Sequence, residues 1–144
     1  MVRKILLTGK PGVGKTSVLV ETIRELEARG LRVGGMVSRE VRDGGVRVGF
    51  EISDLASGRK GWLAHVEQQE GPQIGKYRVN LKDLVEIGVN AINQAAYDST
   101  ISVIAIDEVG PMELCSEDFR NAVRKRLKRK NLLLGQFITK RGRH

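Results

Sequence analysis

The chain has 144 residues, a formal net charge of +8, a single cysteine and 4% aromatic residues. That length suits one packed core and is tight for two, so one domain over 1–144 is expected. One cysteine excludes an internal disulfide and a cysteine zinc cluster, and no apolar run approaches the roughly 20 residues of a membrane span. With no N-terminal signal pattern, a cytoplasmic protein is the expectation.

Ile5-Leu6-Leu7 reads as a short buried strand, and Gly9-Lys10-Pro11-Gly12-Val13-Gly14-Lys15-Thr16 follows it. This octet meets the Walker A pattern GxxxxGK[ST] at every fixed position. A buried strand that delivers a Gly-rich turn to a helix start aims successive backbone N–H groups at one point, where they hold phosphate oxygens. Side chains would block that approach. Lys15 adds a point charge, and the Thr16 hydroxyl is placed to ligate the Mg²⁺ that accompanies a nucleoside triphosphate. The candidate nucleotide-binding stretch therefore runs from Gly9 through Ser17.

Val18, Leu19, Ile23 and Leu26 share one helical face over 16–28, and Arg29-Gly30 supplies the stop. Residues 31–37 then read as a strand beside the first, closing a βαβ unit. From 40 to 66 the texture changes to short alternating segments, with turns at Asp43-Gly44-Gly45 and Ser57-Gly58-Arg59 that predict antiparallel hairpins. Period-2 alternation puts Val46, Val48 and Phe50 on a packed side and Arg47 and Glu51 on the other. Residues 68–72 read as a polar loop.

Asn80 is placed as a helix N-cap, and Leu81, Leu84, Val85, Val89, Ile92 and Ala96 carry a helical stripe behind it. Gly88 interrupts that stripe at a cost of about 1 kcal/mol against alanine, which predicts a close packing contact. Ile101-Ser102-Val103-Ile104-Ala105-Ile106 is a buried strand ending in Asp107-Glu108, a Walker B reading. In a parallel sheet Asp107 would lie near Thr16 and hold the magnesium, while Glu108 orients and polarises the attacking water. Ser116 with Glu117-Asp118 opens another helix, with an apolar stripe at Phe119, Ala122, Val123 and Leu127. Leu132-Leu133-Leu134 begins a further strand.

The positive charge is local. Nine of the 25 Lys/Arg lie from Arg124 onward with no Asp or Glu among them, which leaves 16 basic against 17 acidic residues over 1–123. Residues 124–130 continue a helical stripe, so they read as its solvated face and C-terminal turn, where cations favour the helix dipole. No basic and aromatic alternation offers a base-stacking platform.

Four segments in order, GKPGVGKTS, then residues 38–50 (SREVRDGGVRVGF), Gly75-Lys76-Tyr77-Arg78-Val79, and residues 106–114 (IDEVGPMEL), resemble the small nucleoside-triphosphatase family of archaea, bacteria and animals. The resemblance covers about 2 to 130. It implies an α/β chain of RecA-like P-loop type, a mainly parallel sheet flanked by helices with an inserted antiparallel hairpin. It also implies slow, magnesium-dependent hydrolysis of several nucleoside triphosphates to the diphosphate and phosphate. Carried over by position, Gly12, Gly14, Lys15 and Thr16 form the phosphate cradle and Asp107 and Glu108 take the metal and water roles. Lys15 and Glu108 are the catalytic candidates, and Thr16 and Asp107 the metal candidates. Arg39, Arg42 and Arg47 match basic positions of the hairpin and are candidates for touching phosphate. The chain departs from the family pattern at its end, where 131–144 reads as a truncated, frameshifted or naturally short, disordered basic tail.

Two other readings compete with hydrolysis. A nucleoside or small-molecule kinase uses the same cradle, and the Asp-Glu pair argues mildly against it. A nucleotide-dependent nucleic-acid-binding module using 124–130 is disfavoured by the neutral body. No membrane partner is expected, and a monomer is favoured.

Overall fold

The computed structural model describes residues 4–7, 15–107, 109–127 and 132–133. Its strands are β1 (Lys4–Leu7), β2 (Val33–Asp43), β3 (Val46–Asp54), β4 (Lys60–His65), β5 (Gln73–Ile74), β6 (Tyr77–Val79), β7 (Val103–Ile106) and β8 (Leu132–Leu133). They form one sheet in the order β5-β6-β4-β3-β2-β7-β1-β8. The helices are α1 (Lys15–Ala28), α2 (Leu81–Asp83), α3 (Asn90–Tyr97) and α4 (Glu117–Leu127), with a π-helical stretch Leu84–Val89 joining α2 to α3.

The sheet is mixed, not mainly parallel. Three pairings are parallel, β2 with β7, β7 with β1 and β1 with β8, against four antiparallel ones from β2 out to β5. The antiparallel half, β3 to β6, is inserted in sequence between the paired core strands β2 and β7. It grows from β2 itself, which pairs with β7 over Val33 to Met36 and then continues to Asp43 as one arm of the hairpin with β3. β2 was expected beside β1, but β7 lies between them, so the β1-α1-β2 crossover steps over the acid-bearing strand.

Two cores cover the two faces. On one, Leu19 and Ile23 of α1 pack on Val33, Val103 and Ala105. On the other, Met36, Ile52, Ile104 and Ile106 meet Leu84, Ile87 and Ile92 together with Phe119, Ala122 and Val123 of α4. Burying each such large side chain is worth about 1.5–3 kcal/mol, and the alternation of faces along β7 is what lets both helical layers use it.

Local signals explain the helix ends. The Asn80 side chain accepts a bond from the Asp83 N–H at 2.9 Å, and the Ser116 hydroxyl accepts one from the Phe119 N–H at 3.1 Å, each satisfying a donor the helix leaves over. Gly88 has the close contact its cost predicted: a Cβ there would lie 2.8 Å from Ile52 Cδ1 and 3.2 Å from Met36 Sδ. Gly88 falls inside the π-helical stretch Leu84–Val89. No helix among the described residues is long and apolar enough to cross a membrane.

Candidate functional site

β1 and β7 run parallel with Leu7 opposite Ile106, so both strands end at one level. The chain leaves β1 through residues 8–14 and enters α1 at Lys15; it leaves β7 at Asp107. The N-terminal turn of α1, which contains Lys15, Thr16 and Ser17, and the acid at the end of β7 therefore belong to adjacent strand ends at one rim. Ligands of open parallel sheets bind at such a rim, beyond the carboxyl ends of the strands. Gly9, Lys10, Pro11, Gly12, Val13, Gly14 and Glu108 lie outside the described residues, as do the side chains of Lys15, Thr16 and Ser17.

Asp107 is fully buried. A buried carboxylate needs donors to offset its lost hydration, and β2 provides them. Asp107 Oδ2 accepts the Ser38 backbone N–H at 2.9 Å and the Ser38 hydroxyl at 3.3 Å. In the sequence Ser38 only opens the segment 38–50 and receives no role, because a lone serine inside a strand carries no pattern that ties it to Asp107.

Beyond Asp107 the chain turns through Val109-Gly110-Pro111 into a short 3₁₀ turn, Glu113–Cys115. Glu113 is 2% exposed, and its Oε1 accepts the Gly110 N–H at 3.0 Å. The Gly110 carbonyl in turn accepts the Leu114 N–H at 2.9 Å. This acid braces the segment that follows Glu108.

The hairpin arginines divide between the two faces. Val37 packs with the α1 core, so Arg39, two residues on, lies on the α1 side, paired with Glu51 at 2.9 Å. Arg42 and Arg47 both reach Glu40, at 3.5 and 3.3 Å. Arg47 also donates to the Tyr77 hydroxyl at 2.9 Å and lies 5.4 Å from the Phe50 ring centre. The Tyr77 hydrogen bond, helped by Glu40, raises the Arg47 guanidinium pKa. Alternation put Arg47 opposite Phe50; the register shift at Val41/Arg42 reverses that. Val41 faces Gly49 while Arg42 faces Arg47, so Val48 is the extra residue of a β-bulge and parity flips beyond it. Val46, expected on the packed side, is 56% exposed at the hairpin end.

Arg124 and Lys125 are exposed, as a solvated face requires, but Arg126 is buried and bonds Asn93 Oδ1 at 3.3 Å across to α3. Residues 128–130 and most of the presumed tail lie outside the described residues, although Leu132–Leu133 forms β8 as the apolar run predicted.

Asp107 at the rim is a hard oxygen donor of the kind magnesium takes. Among the described residues no three His, Cys, Asp or Glu side chains come together, and Mg²⁺ is ordinarily held by one or two carboxylates plus substrate phosphates, not by an all-protein cage. The buried Asp107 at the end of β7 is one such carboxylate.

A family model described as NTPase matches residues 4–143. The chain is 51% identical over 125 residues to the nucleoside-triphosphatase THEP1 of Thermofilum pendens, covering 87% of this chain and 68% of that protein. Against the THEP1 of Methanothermobacter thermautotrophicus it is 50% identical over 120 residues, 83% of this chain and 67% of the relative. The chain belongs to this nucleoside-triphosphatase family. Among solved structures, THEP1 from Aquifex aeolicus superposes with a TM-score of 0.74 at 33% identity, covering 91% of this chain and 73% of that one. A human cancer-related nucleoside triphosphatase gives a TM-score of 0.70 at 35% identity, with 92% and 73% covered. The α/β fold of this nucleoside-triphosphatase family member is thus matched over nine-tenths of its length.

Proposed function

We propose that this nucleoside-triphosphatase binds the triphosphate tail of its substrate between the Walker A turn and Asp107, and cleaves the γ-phosphate with water. The observation that carries the reading is the level ending of β1 and β7, which puts the first turn of α1 and the buried acid at one rim. In this reading the core is a RecA-like P-loop sheet in one domain, working in the cytoplasm as a monomer.

Backbone N–H groups of residues 9–14 and the Lys15 ammonium hold the β- and γ-phosphate oxygens and offset the charge that shifts onto them in the transition state. Thr16 and Asp107 would hold Mg²⁺, which when bound supplies further positive charge to the same oxygens. Glu108 accepts a hydrogen bond from the attacking water and holds it in line with the bond that breaks. Arg39 is the hairpin arginine on the α1 side; released from Glu51, it is the one of the three placed to reach phosphate. Arg42 and Arg47 are occupied by Glu40 and Tyr77 on the other face.

Phosphate release from ATP, GTP, CTP and UTP with and without Mg²⁺ tests the reading. Magnesium-dependent release from several of them is expected. Label passing from ATP to a nucleoside acceptor, with no free phosphate, would identify a kinase instead.

A further inference from the structure

Strand β2 outruns its parallel neighbour. β7 ends at Ile106, opposite Met36, while β2 continues to Asp43. A strand that loses its neighbour leaves N–H donors on that side without ladder acceptors, and buried donors of this kind must find partners elsewhere. Here Asp107 replaces the missing strand. Its N–H donates to the Met36 carbonyl at 3.1 Å, and its Oδ2 accepts both the Ser38 N–H at 2.9 Å and the Ser38 hydroxyl at 3.3 Å. Asp107 is 0% and Ser38 7% exposed, so bulk water does not stand in for these bonds.

The backbone bond fixes where Asp107 begins, but not how its carboxylate is turned. Two donors from one residue on one oxygen supply that constraint, since rotating the carboxylate breaks both at once. The hydroxyl also explains the residue type. A buried strand position favours Val, Ile or Thr, and a buried serine there is costly unless its hydroxyl has a partner.

We infer that Ser38 is a positioning residue for Asp107: its N–H and hydroxyl hold Oδ2 so that the carboxylate is presented to the metal position at the sheet rim. Ser38 thereby sets the Mg²⁺ concentration the enzyme needs. The inference rests on the magnesium-dependent reading above.

The test compares Ser38→Ala, Ser38→Cys and Ser38→Thr with Asp107→Asn and wild type. Two quantities are read: the Mg²⁺ concentration for half-maximal phosphate release, and Mn²⁺ affinity by electron paramagnetic resonance with a non-hydrolysable ATP analogue. Loss of a residue that orients a metal ligand typically weakens metal binding 10- to 100-fold. Ser38→Ala is therefore expected to raise both quantities about tenfold. Nucleotide binding in EDTA should stay at the wild-type level, a readout that general destabilisation would move. Ser38→Thr, which keeps the hydroxyl, should restore metal affinity. Ser38→Cys has nearly the volume of serine and a weak donor, and carries the comparison if the alanine variant fails to fold. Wild-type metal affinity in Ser38→Ala or Ser38→Cys, with Asp107→Asn impaired, overturns the inference alone. Wild-type metal affinity in Asp107→Asn overturns the Asp107 metal reading and this inference with it.

Discussion

Leu7 and Ile106 face each other as the last paired residues of two adjacent parallel strands. Everything at the site follows from that level ending, because the segment after Leu7 leads into the helix that starts at Lys15 and the residue after Ile106 is Asp107. Removing the Lys15 charge deletes a charge-assisted contact worth about 1.5–3 kcal/mol. Lys15→Ala is therefore expected to weaken binding of a fluorescent ATP analogue by a factor of roughly 10 to 100, with an unchanged circular dichroism spectrum. Wild-type affinity would remove Lys15 from the cradle.

Gly35 sets the seam between β2 and β7. Its φ is +112°, and a Cβ there would collide with the backbone carbonyl of Ala105. Gly35→Ala thus combines strain with a clash in the strand pair that carries Asp107, and should cost more than about 2 kcal/mol in urea unfolding. Gly30→Ala is the control. Gly30 also has positive φ, +86°, but nothing lies within 4 Å of its Cβ position, so only the conformational cost of about 1 kcal/mol applies. Equal losses would contradict the assignment of a clash at Gly35.

Arg39 and Arg47 separate structure from chemistry. The Arg39 to Glu51 pair lies at the surface, with 60% of the arginine and 20% of the glutamate side chain accessible, and surface pairs contribute about 0–1 kcal/mol. Arg39→Ala should leave the melting temperature close to wild type while lowering phosphate release at subsaturating ATP. Arg47→Ala, which removes the hydrogen bond to Tyr77 and the contact with Phe50, should lower the melting temperature more and turnover less. The reverse pattern would exchange their roles.

Glu113 braces the turn at Gly110. Glu113→Ala removes the acceptor for the buried Gly110 N–H, and a buried donor without its partner costs about 1–3 kcal/mol. Glu113→Gln keeps an acceptor oxygen and should retain most of the stability. Thermal melts of both variants decide this; identical losses would mean that the carboxylate itself, not the hydrogen bond to Gly110, is what matters.

Signals carried by neighbouring residues were legible in the sequence. Asn80 and Ser116 cap the helices they were read to cap, Gly88 has its close contact, and the apolar run before Asp107 is a parallel strand beside β1. What escaped depends on partners distant in sequence. Arg126 looked like one more solvated cation, and only the approach of α3 brings Asn93 to it. Strands β5 and β6, of two and three residues, are too short to show a period. The bulge at Val48 left no mark that a simple alternation could register, yet it turns Arg47 to the face of Phe50. Ser38 became visible only once β2 was seen to run past the end of β7.

The central claim is that the Walker A turn and the Asp107-Glu108 corner together hold a magnesium-bound triphosphate for attack by water. Paired assays on Glu108→Gln and wild type, reading ATP-analogue binding and phosphate release from MgATP, test it most directly. The glutamine variant should bind with wild-type affinity and release phosphate at least about 100-fold more slowly, the range expected for loss of a general base. Equal phosphate release by the two proteins would contradict the account.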